Sequence, residues 1–186
     1  MPVRIACFGD SLTEGYGLER GEALPAVLER LLAEDGINAR CLNFGVSGDT
    51  SADGLHRLAA VLDARPDAAM VAFGANDCFL DEPIEKVEAN LSAIIKALLD
   101  TVIPVLLVGI SAELNPDPDY RARFERLFAE LAKRYGLALF PDILACYFRN
   151  PDLTLMDGLH PNASGVEAIA RAMMPKVRAL AEQAVR

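Results

Sequence analysis

Apolar residues along the chain fall into two alternating patterns. Short continuous apolar runs occupy Val3–Phe8, Ala39–Phe44, Ala68–Phe73, Pro104–Gly109 and Leu137–Phe140. Between them the apolar positions repeat at helical period. Leu55, Leu58, Ala59 and Leu62 share one face, as do Val87, Leu91, Ile94, Ile95 and Leu98. Phe124, Leu127, Phe128 and Leu131 form a third such stripe and Val166, Ile169, Met173 and Val177 a fourth, with a further helix predicted at about Glu22–Glu34. Continuous apolar runs separated by amphipathic helices imply a parallel sheet buried on both faces. The expected fold class is therefore α/β: a three-layer α/β/α sandwich around five parallel strands. No linker, repeat or low-complexity segment interrupts the alternation, so residues 1–186 are expected to form one domain.

Composition narrows the function classes. A hydrophobic fraction of 52% with 24% charged residues fits a globular enzyme rather than a disordered chain. The formal net charge of −9, with no offsetting Lys/Arg cluster, disfavours nucleic acid and anionic membrane surfaces as partners. No apolar stretch approaches the ~18 residues of a membrane span, so stable membrane insertion is not expected. No secretory signal pattern is visible at the start of the sequence, which makes a cytoplasmic location the default expectation. The four cysteines, Cys7, Cys41, Cys78 and Cys146, are widely spaced, and neither histidine sits near one at ligand spacing. They read as small apolar residues rather than a disulfide framework or a metal site.

In sheets of this kind ligands bind at the carboxyl ends of the strands, so the polar residues directly after each strand carry the chemistry. The first strand is followed by Gly9-Asp10-Ser11-Leu12-Thr13-Glu14-Gly15. Ser11 there is either a helix-capping turn residue or a hydroxyl exposed to a cleft. The second is followed by Gly45-Val46-Ser47-Gly48-Asp49-Thr50-Ser51. Gly48 lets the backbone approach a ligand, so its N–H could serve a developing oxyanion, while Asp49, Thr50 or Ser51 can cap the next helix. The third is followed by Gly74-Ala75-Asn76-Asp77, in which Asn76 is either a turn residue or a side-chain donor to the same crevice.

The sharpest signal is Asp157-Gly158-Leu159-His160-Pro161-Asn162. A histidine accepts a proton from a serine when its other ring nitrogen is held, and a carboxylate three residues away in a tight turn can hold it. Asp53 and His56 form a rival pair at equal spacing, but they lie within a helical run, where such pairs occur freely.

These four blocks, Gly9-Asp10-Ser11-Leu12, Gly48, Gly74-x-Asn76-Asp77 and Asp157-x-x-His160, resemble in order and separation those of the SGNH hydrolases, also called the GDSL esterase/lipase family. The resemblance runs from residue 8 to residue 165. It is closest to the bacterial subgroup of acyl-CoA thioesterase, lysophospholipase and arylesterase enzymes. It implies a flavodoxin-like sheet, Ser11 as nucleophile, His160 as base and acid, and Asp157 as its orienting carboxylate. It further implies an oxyanion hole of the Ser11 and Gly48 N–H groups with the Asn76 side chain, and no metal or organic cofactor. The expected partner is a small-molecule ester or thioester of short to medium acyl or aryl type.

The sequence departs from the subgroup in two places. The loop Ser111–Tyr120 is acidic and lacks a Pro-x-Asn-Tyr-Gly-like stretch, which weakens the expectation of long acyl chains. Ala75 stands where a second glycine is often found. Phe79, Leu80, Ile110, Leu114 and Leu159 are candidate walls of an acyl pocket. Two other readings compete. A carbohydrate O-acetyl esterase would use the same site, but the chain has no Trp and four Tyr with which to face sugars. A non-catalytic flavodoxin-like binding domain would take phosphate at Gly9–Gly17, where a P-loop lysine is lacking and Asp10 and Glu14 repel anions.

Overall fold

A computed structural model describes residues 1–185. Five strands form one sheet: β1 (Val3–Gly9), β2 (Ala39–Gly45), β3 (Ala68–Ala72), β4 (Val105–Val108) and β5 (Ala138–Phe140). All neighbouring pairs are parallel and the order is β2-β1-β3-β4-β5. The strands with the most continuous apolar character lie inside the sheet: β1 from Ile5 through Gly9, β3 and β4 are buried almost throughout. The edge strands β2 and β5 are partly exposed, and the run of β2 is correspondingly broken by Arg40 and Asn43.

The long helices are α2 (Leu24–Glu34), α3 (Ser51–Asp63), α5 (Ile84–Asp100), α6 (Pro118–Tyr135) and α7 (Ala163–Ala184). Helices α2 and α7 pack together on one face of the sheet, and α3, α5 and α6 cover the other. Helices α5, α6 and α7 bury the stripes read from their sequence; in α5, for example, Val87, Leu91, Ile94, Ile95 and Leu98 are fully buried. In α3 the buried face is instead Ser51, Gly54, Leu58 and Val61: of the expected stripe only Leu58 is buried, Leu55 and Leu62 are half-buried and Ala59 is exposed. Two short helices were not predicted, α1 (Ser11–Glu14) and α4 (Ala75–Phe79). Each is about one turn, too short to display a period. The helix expected at Glu22–Glu34 begins instead at Leu24, with Pro25 in its first turn and a separate 3-10 turn at Arg20–Glu22. Among the described residues no helix is long and apolar enough to cross a membrane.

The register explains where the chemistry collects. Gly9 at the end of β1 lies level with Gly45 of β2 and Ala72 of β3. The loops after these three strands therefore rise from one edge, at the point where the chain runs from β1 outward in both directions. Such a switch point is the usual ligand crevice of doubly wound sheets. Gly45 is needed for close approach: a Cβ there would lie 2.2 Å from the Glu14 nitrogen, so only glycine lets α1 lie across the end of β2.

Candidate active site

Ser11 opens α1 directly after β1. Asp10 caps that turn, its carboxylate accepting the Leu12 N–H at 3.0 Å and its carbonyl the Thr13 and Glu14 N–H groups. The capping role and the exposed-hydroxyl role weighed for this turn are thus divided between neighbours: Asp10 caps, and Ser11 faces the cleft. Asp10 is 2% exposed. Burial pushes its carboxyl up to about 7, with Asp77 and Asp49 adding to the rise and the Leu12 N–H opposing it.

His160 reaches this serine from a loop 149 residues later. Its Nε2 lies 3.0 Å from Ser11 Oγ and its Nδ1 lies 2.6 Å from Asp157 Oδ2. The other carboxylate oxygen of Asp157 accepts the backbone N–H of Leu159 at 2.9 Å and of His160 at 3.0 Å. Burial pushes the Asp157 carboxyl up, but the bonds from the His160 ring and these two N–H groups outweigh it and hold it below the usual carboxylate value. The His160 carbonyl accepts the Leu155 N–H at 2.8 Å, and Asn162 caps α7 through the Gly165 N–H. The rival pair is absent as a site: Asp53 turns back to the Thr50 N–H and hydroxyl in the capping box of α3, and His56 is exposed on that helix.

Asn76 lies in α4. Its Nδ2 donates one hydrogen to the Asp49 carbonyl at 2.8 Å, which fixes the amide and leaves its second N–H free to point elsewhere. Asn76, Ser11 and His160 line one cavity of about 200 Å³. Gly48 does not line it. It is exposed at φ 87° and joins the group through its neighbours. Ser47 on one side gives its N–H to Glu14 Oε2 at 2.7 Å and its hydroxyl to the same oxygen. Asp49 on the other side pairs with Arg57 and accepts from Asn76. Among the described residues, no chain group accepts the N–H of Ser11 or of Gly48.

Several supporting residues carry no motif. Arg57 donates to the Gly9 carbonyl that ends β1 and to the Phe44 carbonyl one residue before the end of β2, each at 2.8 Å, while its guanidinium lies 4.7 Å from the Phe8 ring centroid. Buried Asp77 accepts the N–H and hydroxyl of Ser51 and so ties α4 to the start of α3; burial outweighs those bonds and raises its carboxyl. Tyr147, 2% exposed, donates to the Leu159 carbonyl at 2.9 Å, anchoring the histidine loop from beneath. Tyr16 packs against His160 with ring centroids 4.4 Å apart and the ring planes tilted by 35°. In sequence, the only trace of Tyr16 is an aromatic residue between two glycines; Arg57 leaves none.

Apolar side chains form most of the cavity wall. Phe79, Ile110, Leu114 and Leu159 line it as expected; Leu80 does not and is exposed instead. Leu12, Leu144 and Phe148 add to the wall, with Ala75, Cys78 and Tyr147. The acidic loop after β4 turns only Ser111 and Leu114 inward. Its Glu113 pairs with Arg149 and its Asp117 caps α6, so the acidity does not reach the cavity.

This geometry agrees with three comparisons. Residues 7–168 match the model of the GDSL-like lipase/acylhydrolase family. An arylesterase of Vibrio mimicus is 31% identical over 168 residues, spanning 90% of this chain and 84% of its own. Among solved structures, the SGNH-hydrolase family esterase AlinE4 is 40% identical with a TM-score of 0.80 over 96% of both chains. TesA is 28% identical with a TM-score of 0.88, over 95% of this chain and 99% of the other. The sheet, the four sequence blocks and the family match coincide, and the chain belongs to the GDSL-like lipase/acylhydrolase family of carboxylic ester hydrolases.

Proposed function

We propose that Ser11, His160 and Asp157 hydrolyse carboxylic esters and thioesters of short to medium acyl or aryl type. The observation that carries this reading is the unbroken line of contacts from Asp157 Oδ2 through the imidazole to Ser11 Oγ, at 2.6 and 3.0 Å. Ser11 Oγ attacks the acyl carbonyl as His160 Nε2 takes its proton, and Asp157 stabilises the imidazolium. The carbonyl oxygen becomes an oxyanion held by the N–H groups of Ser11 and Gly48 and by the free N–H of Asn76. His160 then protonates the departing alcohol or thiol, and the ester left on Ser11 is cleaved by water in the reverse sense. Proton transfer and charge stabilisation both come from side chains and backbone of this chain.

The acyl group fits the apolar cavity. At about 200 Å³ it is smaller than the ~300–1,000 Å³ sites that enclose drug-sized ligands, which favours short to medium chains. Its apolar wall also favours acyl chains over acetylated sugars, which need hydrogen-bonding walls. The test is hydrolysis of p-nitrophenyl esters from acetate to decanoate by the wild type and Ser11→Ala. We expect an optimum at intermediate length and loss of turnover in the variant. Undiminished turnover by Ser11→Ala would remove this serine from the mechanism.

A further inference from the structure

A second concavity lies beyond the nucleophile turn on the β2 side, and Tyr16, which packs on His160, forms part of its wall. The acyl cavity spreads from Ser11 over the loops after β3, β4 and β5. The second, of about 540 Å³, lies over β2 and the segment between α1 and α2, and is lined by Glu14, Tyr16, Glu19, Arg20, Asn43 and Ser47. Tyr16 links them: its ring packs against His160 and also walls the second groove, and it remains 51% exposed.

The reaction gives this position a meaning. In the tetrahedral intermediate the acyl chain points into the apolar cavity and the oxyanion towards Gly48 and Asn76. The third substituent, the leaving group, must lie within reach of the His160 Nε2 that protonates it. The groove next to that histidine, beyond Tyr16, is where the remainder of a leaving group extends.

We infer that this groove is the leaving-group subsite, and that it takes a neutral polyol or cationic alcohol and rejects a phosphorylated one. The inference rests on the esterase reading above. Beside Tyr16 and Leu18 the lining carries Glu14, Glu19, Arg20, Asn43 and Ser47, a larger polar share than in the acyl cavity, which suits hydroxyl groups. Its carboxylates, Glu14 and Glu19, face one cation, Arg20, and the chain as a whole carries −9. A phosphate-bearing group, including the nucleotide part of coenzyme A, meets net negative charge there, whereas a quaternary ammonium meets carboxylates and the open Tyr16 ring.

The test holds the acyl group constant and varies the alcohol. The kcat/KM of wild-type protein is measured on octanoyl esters of choline, glycerol and glycerol 3-phosphate, with p-nitrophenyl octanoate as reference. At low ionic strength we expect choline and glycerol esters to exceed the glycerol 3-phosphate ester by about tenfold. That gap should close in about 0.5 M salt, where charges are screened within a few ångströms, and should narrow in Glu19→Lys. A phosphate ester cleaved as fast as the glycerol ester at low salt overturns the inference. So does a gap that neither salt nor Glu19→Lys alters, or cleavage of the reference ester with none of the three alcohols accepted. Failure to cleave p-nitrophenyl octanoate overturns the esterase reading itself, and this inference with it.

Discussion

Two loops supply the proposed chemistry, and they are held in opposite ways. The loop Asp157–Asn162 is fastened largely from within. Asp157 binds the ring and backbone of a residue three positions on, Leu155 binds the His160 carbonyl, and Asn162 caps the helix that follows. The loop Val46–Thr50 is fastened from outside. Glu14, Arg57 and Asn76, from three other elements, hold the residues on either side of Gly48. The proposed base is thus a nearly self-contained unit. The proposed oxyanion donors depend on the sheet bringing β1, β2 and β3 level. Perturbations of the first should act on proton transfer alone, and perturbations of the second should also be felt in stability.

The largest expected effect is on the first loop. His160→Ala should lower kcat by on the order of 10⁴–10⁶, measured on p-nitrophenyl butyrate, with an unchanged melting temperature beyond the loss of surface contacts. A residual rate within tenfold of wild type would place the base elsewhere. Asn76→Ala should cost roughly 10²–10³ in kcat, since one oxyanion donor is lost. Near-normal turnover would detach Asn76 from the mechanism.

Arg57→Ala sharpens the contrast. It removes a donor from the Gly9 carbonyl, which keeps the Val46 N–H, and from the Phe44 carbonyl, leaves the Asp49 carboxylate without its cation, and should destabilise by about 2–3 kcal/mol in urea titration. It should also reduce kcat about 10–100-fold through misplacement of the Gly48 loop. A variant that lost stability but kept full kcat would show that the outer fastening serves the fold only.

The smallest effect on kcat concerns Asp10, which caps the nucleophile turn. Its carboxyl keeps a proton up to about pH 7 when folded, against an ordinary value of 3.8. Between these values the folded chain binds more protons than the unfolded one. The contribution of this group is therefore greatest in acid, falls as pH rises to about 7, and is flat above that. Its slope is at most about 1.4 kcal/mol per pH unit. Asp10→Asn retains an oxygen for the Leu12 N–H and should remove that slope from the pH dependence of unfolding. A slope equal to that of wild type would mean the carboxyl is ionised throughout.

The same contrast explains what could be read in the sequence. The strands, the five long helices and the Asp157–His160 pair depend on periodicity or on neighbours within a few positions, and they were legible. So were Ser11 and Asn76, because they directly follow buried strands. Arg57 and Tyr147 were not legible: one is an arginine on an ordinary amphipathic helix, the other an aromatic among core aromatics. Their roles come from partners 48 and 12 residues away. Leu80 was misassigned as a pocket wall because a position after a strand does not determine which side of a one-turn helix faces the cavity.

The central claim, an acyl group carried on Ser11, is tested most directly by mass spectrometry of protein quenched during turnover of p-nitrophenyl octanoate. The account predicts a gain of one octanoyl group on the peptide containing Ser11, lost on longer incubation and absent in Ser11→Ala. An adduct on another residue, or turnover with release of p-nitrophenol before any adduct forms under conditions where deacylation is made slow, would contradict it.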